Sequence, residues 1–476
     1  MLTEELLDLI EQIRNSKCER QNIELKAAHS GCPQRLYDTL SSFSNQDGGG
    51  IIIFGIDENR DFELCGIYDV QDLQVKVNQQ CLQMEPVVRP LFTVAEIDGK
   101  SIASCEIQEC DVFDKPCFYK GAGRLKGSYV RCGEADMPMT EYEIYSYEIF
   151  KRNIHDELRT DERIKVSDLD KNKINVYLSK LRMQKPNLFN LDDNQILNML
   201  GIHNDNAPTV CGTLLFGLYP QAFFPSLCIT AVTIPGMSMG DEGVNGERFI
   251  DNKKIEGDLA FMLSEAINFV VRNMKTSTTI DSNGKRHDKT EYPIKAIREI
   301  ILNALIHRDY SIHTENSPIR IMMFKDRIEI ENPGGLYGRL TIDKLGKVGA
   351  DTRNPYLASA SEIMLETENR FSGIPTIRRE MKEHGLSEPL FENFRGVFKV
   401  TLFNTAIDNE NMTMEERIIA FCSTPKSREE ISTYFKYSNP SYMIKKYVLP
   451  LVESGKLCMT IPESPKSKLQ KYYANQ

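Results

Sequence analysis

The 476-residue sequence lacks any apolar run that approaches the ~20 residues needed to cross a bilayer. It also lacks the basic start of a secretory signal peptide, because Glu4 and Glu5 stand where such peptides carry positive charge. We therefore expect a cytoplasmic protein without a membrane partner.

Paired cysteines are absent too. The 12 cysteines stand singly and none forms a C-x-x-C pair, which argues against a zinc ribbon or a dithiol redox site. Reduced, mostly buried thiols are the expectation. The sequence contains no P-loop, nucleophile elbow or HExxH motif either, so it does not predict those three classes of active site.

Positive charge is in short supply across the chain, whose formal net charge is −10. Such a balance argues against coating nucleic acid with the whole surface, so a binding site must be a local basic patch. Residues 441–476 provide one, with six lysines and two glutamates and hence a net charge of +4.

The chain is too long for one hydrophobic core and predicts an α+β multi-domain protein. Residues 1–150 alternate helical and strand patterns, including an apolar strand at residues 51–56. Residues 212–217 echo residues 50–55 in composition and predict a second strand between flanking glycines. A helix is expected from residue 294 to 308, and a linker of low hydrophobicity at residues 408–413 precedes the last unit.

The first candidate site combines acids near the N-terminus with a glycine-rich segment. Glu19 and Glu24 are followed by Lys26, by Ser-Phe-Ser-Asn at residues 42–45, and by Gly-Ile-Asp-Glu at residues 55–58. This pattern resembles the AlbA-type domain of the Schlafen family, whose nucleases bind a divalent metal with two such glutamates and a later acid. The resemblance implies a Mg²⁺ or Mn²⁺ site at Glu19, Glu24 and Glu58, with Asp57 as the adjacent candidate, and a nucleic-acid contact at Lys26.

The second candidate site starts on the predicted helix. Glu299, Asn303 and His307 follow each other at four-residue spacing and share one helix face. This resembles the N-box of GHKL ATPases, and Gly-Gly at residues 334–335, Arg-Asn-Pro at 353–355 and Ser-Gly at 372–373 continue the divergent version attached to Schlafen-type regulators. The resemblance implies that ATP and Mg²⁺ are held by Glu299, Asn303, Asn332, Gly334, Gly335 and Gly373, with Asn303 on the metal.

Two departures leave a second interpretation of this module open. The adenine-reading aspartate of the family is Asn332 or Glu331 here, and Phe371 replaces the first glycine of the lid motif. A degenerate GHKL fold that serves as a scaffold or dimer surface fits these changes as well as a nucleotide site does.

The last unit reads as three short helices and a two-stranded wing, the winged-helix pattern. Its candidate nucleic-acid contacts are Lys445, Lys446, Lys456 and Lys466. The predicted division is an AlbA-type domain (1–150), a helical linker with a middle α/β lobe (151–275), a GHKL-like α/β sandwich (276–407) and a winged helix (414–476).

Two functions fit the whole sequence. One is a DNA-binding transcriptional regulator, nucleotide-responsive and dimeric or otherwise homo-oligomeric. The other is a metal-dependent endoribonuclease that acts on tRNA or other structured RNA, in phage defence. The winged helix and GHKL-like module favour the first, and the spacing of the glutamates favours the second.

Overall fold

A computed structural model describes residues 1–17, 21–133, 135–205, 207–280, 286–349, 351–365, 372–394, 396–405, 414–422, 426–435, 443–462 and 470–474. The chain divides into two compact units. Unit 1 comprises Met1–His384 and Glu388–Leu402, and unit 2 comprises Gly385–Ser387 and Phe403–Gln476. Within the described part of the chain, every helix is too short or too polar to span a bilayer.

The first third of unit 1 is a four-stranded sheet between two helical layers. Its helices are α1 (Thr3–Ser16), α2 (Tyr37–Asn45), α3 (Val70–Cys81), α4 (Gly123–Gly127) and α5 (Glu141–Lys151). Its strands are β1 (Ile23–Lys26), β2 (Gly50–Phe54), β3 (Ile56–Asp57), β4 (Glu63–Leu64), β5 (Met84–Glu85), β6 (Leu91–Ile97), β7 (Lys100–Ile107), β8 (Phe118–Tyr119), β9 (Tyr129–Cys132) and β10 (Ala135–Pro138).

The order of this sheet is β1-β2-β7-β6, with β1 and β2 parallel and the other neighbours antiparallel. Alternate residues of each strand point to opposite faces. One face packs Leu25 and Ile53 against Leu6 and Ile10 of α1. The other face packs Ile52 against α2. Glu24 and Lys26 of β1 lie on this same face of the sheet.

The rest of unit 1 is built on a six-stranded sheet. Its helices are α6 (Lys171–Gln184), α7 (Asp193–Met199), α8 (Val210–Phe216), α9 (Leu259–Asn273), α10 (Ile294–His307), α11 (Pro355–Met364) and α12 (Gly373–His384). Its strands are β11 (His203–Asn204), β12 (Ala207–Pro208), β13 (Ile229–Thr233), β14 (Asp251–Ile255), β15 (Thr276–Ile280), β16 (Arg286–Thr290), β17 (Ile319–Met323), β18 (Arg327–Pro333), β19 (Leu390–Phe394) and β20 (Val397–Phe403).

The six-stranded sheet has the order β14-β13-β17-β18-β20-β19. Helix α10 is an apolar element whose buried residues face the sheet, and it packs between α9 and α12. Strand β13 pairs in parallel with β17, so strands from both sides of the predicted boundary at residue 275 belong to one sheet. The division into four domains therefore stays a prediction. Its boundary at residue 275 falls inside a core that both sides share.

The predicted strand at residues 212–217 is wrong. The segment Val210–Phe216 is helix α8, and the Thr209 hydroxyl caps it by accepting a hydrogen bond from the Gly212 amide at 3.0 Å. Leucine and a threonine cap favour a helix, whereas three consecutive isoleucines in β2 favour a strand.

Unit 2 contains helices α13 (Met414–Phe421), α14 (Arg428–Tyr434) and α15 (Leu449–Glu453), with a π-helical turn at Ile444–Val448 before α15. Strands β21 (Lys426–Ser427), β22 (Leu457–Met459) and β23 (Lys471–Ala474) form an antiparallel sheet in the order β21-β23-β22. The α+β multi-domain class is confirmed, while the winged helix stays a prediction. The linker at residues 408–413 lies outside the described residues.

Glu157 joins two parts of unit 1. Its fully buried carboxylate accepts hydrogen bonds from the backbone amides of Tyr356 (2.9 Å) and Leu357 (2.7 Å) at the start of α11. Burial raises the pKa of Glu157 from 4.5 to about 7, although these two amides favour the charged form. The folded protein therefore binds this proton more tightly than the unfolded chain does.

We expect Glu157→Gln to remove part of the pH dependence of stability. Below about pH 4.5 the protonated Glu157 contributes roughly 3 kcal/mol to the free energy of unfolding. This contribution is lost as the pH rises towards 7. Urea midpoints at pH 5, 6 and 7 should therefore fall more steeply for the wild type than for the variant. Equal slopes in the two proteins would contradict this assignment.

Candidate functional site

Glu24 lies in a network of ion pairs beside the first sheet. One carboxylate oxygen of Glu24 binds the Lys26 ammonium, and the other accepts from Arg131 at 2.8 Å. The Arg131 side chain is buried and also binds Asp136 at 2.9 Å, and Asp136 accepts from the hydroxyls of Ser42 and Thr39. This arrangement neutralises Glu24 without a metal, so a cation would have to compete with Lys26 and Arg131.

The other predicted metal ligands are less constrained. Asp57, at the end of β3, caps the turn that follows by accepting from the Asn59 amide at 3.1 Å, and it lies 3.5 Å from Arg60. Glu58 is exposed at the first position of that turn. Glu19 lies outside the described residues. Among the residues that the structure does describe, no group of three acidic, histidine or cysteine side chains could hold a metal ion.

The second candidate site is a cavity of about 180 Å³ between α10, the end of β18 and the start of α12. All six residues predicted to bind nucleotide line this cavity: Glu299, Asn303, Asn332, Gly334, Gly335 and Gly373. They come from three segments spread over 75 residues of sequence. The residues at helical spacing and the residues of the glycine motifs therefore line the same cavity.

One end of the cavity combines an acid, an amide and a helix N-terminus. Burial raises the pKa of Glu299, and the charge of Arg298 and a hydrogen bond with Asn303 partly offset this shift. Gly373 begins the 12-residue helix α12, and a Cβ atom there would lie only 2.6 Å from Glu299 Oε1 and 2.9 Å from Asn303 Nδ2. Backbone amides at such a helix start favour anions, and an asparagine oxygen suits Mg²⁺.

The other end of the cavity contains buried polar atoms without partners among the described residues. These atoms are Asn332 Oδ1 and the Nε and Nη1 nitrogens of Arg353. Gly334 has a φ of +107°, and a Cβ atom there would lie 2.2 Å from Arg353 Nη1, so only glycine fits beside this guanidinium. Unpartnered buried groups are costly, so this end of the cavity carries an unsatisfied polar cost.

Arg353 is the principal residue that the sequence reasoning did not assign to the site. Arg353 belongs to the Arg-Asn-Pro motif, and that motif does not indicate that its side chain lines the cavity. Desolvation, and secondarily the charge of Arg353, lowers the pKa of His307 to about 4, so His307 is a neutral imidazole at neutral pH. His307 also lines the cavity.

Helix α5 packs against the outer wall of this cavity. The Tyr142 hydroxyl donates to the buried Asp309 carboxylate at 2.7 Å. The Phe150 ring meets the Tyr337 ring edge-on, with centroids 5.3 Å apart, and Tyr337 lines the cavity. The helix that follows the first sheet thus contacts residues of the candidate nucleotide site.

The predicted nucleic-acid lysines are only partly described. Lys446 is exposed beside the Tyr447 ring, and Lys456 lies 3.7 Å from Glu415 within unit 2. Lys26 pairs with Glu24, as described above. The side chain of Lys445 and the whole of Lys466 lie outside the described residues.

Three family models match separate parts of the chain. The model described as Schlafen, AlbA_2 matches residues 19–140. The model described as "Putative ATP-dependent DNA helicase recG C-terminal" matches residues 316–402, and the C-terminal domain of the Fic-like protein (filamentation induced by cAMP) matches residues 416–473. No curated protein sequence matches the chain.

Two solved structures are similar in part. The DIP2311 protein from Corynebacterium diphtheriae is 17% identical, with a TM-score of 0.40, over 95% of this chain and 93% of its own. The N-terminal domain of a RecG-related protein from Nitrosomonas europaea is 26% identical, with a TM-score of 0.23, over 28% of this chain and 92% of its own. At these TM-scores neither likeness supports a conclusion about function.

We expect Glu24→Ala to destabilise the first sheet by about 2–4 kcal/mol, because it leaves the buried Arg131 with fewer partners. Native-state hydrogen exchange of the β1 and β2 amides measures this effect. Glu58→Ala is the matched control and should change little, since that side chain is exposed. If Glu24 instead clustered with other carboxylates at a metal site, Glu24→Ala would stabilise the first sheet, because it would relieve repulsion between the carboxylates.

Proposed function

Because this chain belongs to the AlbA-type Schlafen family and carries a divergent ATPase module, we propose that it is a nucleic-acid-binding regulator controlled by a nucleotide. The observation that carries the proposal is the single cavity lined by all six predicted nucleotide residues. The finer form of the proposal is a cytoplasmic, dimeric transcriptional regulator that contacts DNA through Lys26 of the AlbA-type domain and through the lysines of unit 2.

The proposed nucleotide site uses both ends of the cavity. Phosphate groups would meet the N-terminus of α12 at Gly373, and Asn303 would supply a neutral oxygen to Mg²⁺. Magnesium supplies charge neutralisation on the phosphates when it is bound. Glu299 keeps its place beside Asn303, where it can orient a water molecule or hold a proton because burial raises its pKa.

Helix α5 supports the regulatory part of the proposal. It follows the segment that matches the AlbA-type model with no intervening linker, since that match ends at residue 140 and α5 begins at Glu141. Tyr142 and Phe150 then reach Asp309 and the cavity-lining Tyr337. A nucleotide that moves the wall at Tyr337 therefore acts on a helix that is continuous with the AlbA-type domain.

The alternative, a metal-dependent endoribonuclease, has weaker support. Both carboxylate oxygens of Glu24 are bound by cations, and Glu58 lies exposed at the start of a turn. A hard divalent ion needs free oxygen ligands. The contacts of Glu24 therefore favour a structural role over a catalytic one.

We expect Asn303→Ala to weaken binding of the Mg²⁺–nucleotide complex about tenfold and binding of the free nucleotide much less. The amide oxygen matters mainly when the ion is present. Calorimetry with ATP and GTP, each with Mg²⁺ and with EDTA, measures both affinities. Lys295→Ala, which changes an exposed residue of the same helix, is the control. Absence of binding by either nucleotide at millimolar concentration would leave the module as a scaffold.

We expect Tyr142→Phe to reduce the coupling between nucleotide and DNA binding while changing each separate affinity less than about threefold. The lost hydroxyl is the one that donates to Asp309. Coupling is reciprocal, so it can be measured as the nucleotide affinity with and without duplex DNA. Tyr145→Phe removes a hydroxyl of the same helix that binds Asp156 instead, and it should leave the coupling intact. Equal coupling in both variants would exclude this route.

A further inference from the structure

Arg353 is a buried arginine that has no carboxylate within hydrogen-bond distance among the described residues. Its Nη2 nitrogen donates to the Gly335 carbonyl at 3.0 Å, and its guanidinium lies over the Tyr337 ring, 5.1 Å from the centroid. The buried Nε and Nη1 nitrogens have no hydrogen-bond partner in the same part of the chain. Because buried donors of this kind are costly, a position that gives Nη1 an anionic acceptor would favour the folded protein.

Asp309 offers such an acceptor a short distance away. Its Oδ2 oxygen lies 4.0 Å from Arg353 Nη1, which is about 1 Å longer than a charge-assisted hydrogen bond. The two side chains border the same glycine, since a Cβ atom on Gly334 would lie 2.2 Å from Arg353 Nη1 and 2.6 Å from Asp309 Cβ. Residue 334 has no side chain and therefore leaves room for a small shift of the guanidinium towards Asp309.

Both oxygens of the buried Asp309 carboxylate already accept hydrogen bonds. The Ser311 amide donates to Oδ1 at 2.8 Å, and the Tyr142 hydroxyl of helix α5 donates to Oδ2 at 2.7 Å. The oxygen that lies nearest to Arg353 is thus the one that Tyr142 satisfies. Loss of this hydroxyl would leave Oδ2 without its donor and with a cationic donor only 4.0 Å away.

Tyr142 and Arg353 also hold the same part of the cavity wall. Arg353 binds the Gly335 carbonyl, and the Gly335 backbone amide contacts the Tyr142 hydroxyl. Burial raises the pKa of Tyr142, and the charge of Arg353 and this amide contact partly oppose that rise. Gly334 and Gly335 both line the cavity. Withdrawal of Tyr142 therefore releases the Gly335 amide, and a shift of Arg353 towards Asp309 releases the Gly335 carbonyl.

We propose that Tyr142 is a positioning residue that keeps Arg353 on the cavity wall, and that Arg353 moves onto Asp309 when helix α5 withdraws. In this exchange Asp309 replaces a hydroxyl donor with a guanidinium, and Gly335 loses two contacts. The exchange requires no ligand, so it stands apart from the proposed nucleotide site. Its consequence for nucleotide binding rests on the proposed function, because the released glycine lines the proposed site.

Tyr142→Phe is the direct test, because it removes the hydroxyl and keeps the ring. In a crystal structure of the full-length variant without nucleotide, we expect Arg353 Nη1 within about 3.2 Å of Asp309 Oδ2. The Gly335 carbonyl should then no longer accept from Arg353. An Arg353 that stays on Gly335, with or without a water molecule in place of the hydroxyl, overturns the inference.

Tyr145→Phe is the matched control for that structure. It removes a hydroxyl of the same helix that binds Asp156 instead, at 2.9 Å, so Arg353 should keep its wild-type position. A shift of Arg353 onto Asp309 in this variant as well would mean that any loosening of α5 moves Arg353. Tyr142 would then lose its assignment as the positioning residue.

A double-mutant cycle tests the same exchange in solution. We expect Tyr142→Phe to lower the urea midpoint more in an Arg353→Met background than in the wild type, because Arg353 can no longer replace the lost hydroxyl. Tyr145→Phe should lower the midpoint equally in both backgrounds. An equal or smaller effect of Tyr142→Phe in the Arg353→Met background overturns the exchange. Should Arg353→Met fail to fold, the structure of Tyr142→Phe decides alone.

Neither measurement involves a nucleotide. Calorimetry that shows no nucleotide binding would therefore overturn the proposed function and leave the exchange between Tyr142 and Arg353 standing. An unmoved Arg353 in Tyr142→Phe would overturn the exchange and leave the nucleotide site standing.

Discussion

The second half of unit 1 depends on the contacts of one buried carboxylate, that of Asp309. It accepts hydrogen bonds from the Tyr142 hydroxyl and from the Ser311 amide, and it lies 4.0 Å from the Arg353 guanidinium. A buried charge persists only when such partners surround it. Asp309 therefore ties helix α5, the loop after α10 and the wall of the cavity into one arrangement, and the shape of the cavity depends on a helix from outside the ATPase module.

The sequence predicted which residues meet at the cavity of unit 1 better than it predicted any other part of the protein. Glu299, Asn303 and His307 share a helix face because α-helical geometry allows only that result for their spacing. Gly334 and Gly373 could also be predicted, since backbone that approaches a neighbouring side chain closely excludes a Cβ atom. Local rules suffice where the residues of a site stand on one helix or in a short glycine motif.

The same reasoning could not predict what surrounds Glu24. Its principal partner, Arg131, is 107 residues away in sequence, so no local pattern distinguishes a metal ligand from half of an ion pair. The strand predicted at residues 212–217 was wrong for a related reason. Two apolar segments of similar composition differ in their helix caps and in β-branching rather than in hydrophobicity. The orientation of Arg353 likewise depends on Tyr337 and Gly335, which the motif does not specify.

The absence of a linker before α5 has a consequence for how such proteins evolve. AlbA-type domains that are recombined with new partners need a boundary at which few contacts are cut. Here the match to the family ends at residue 140, yet the aromatic residues Tyr142 and Phe150 follow at once and are covered by the ATPase module. A gene rearrangement at that boundary would leave two rings exposed to solvent, so the two modules are expected to be inherited together.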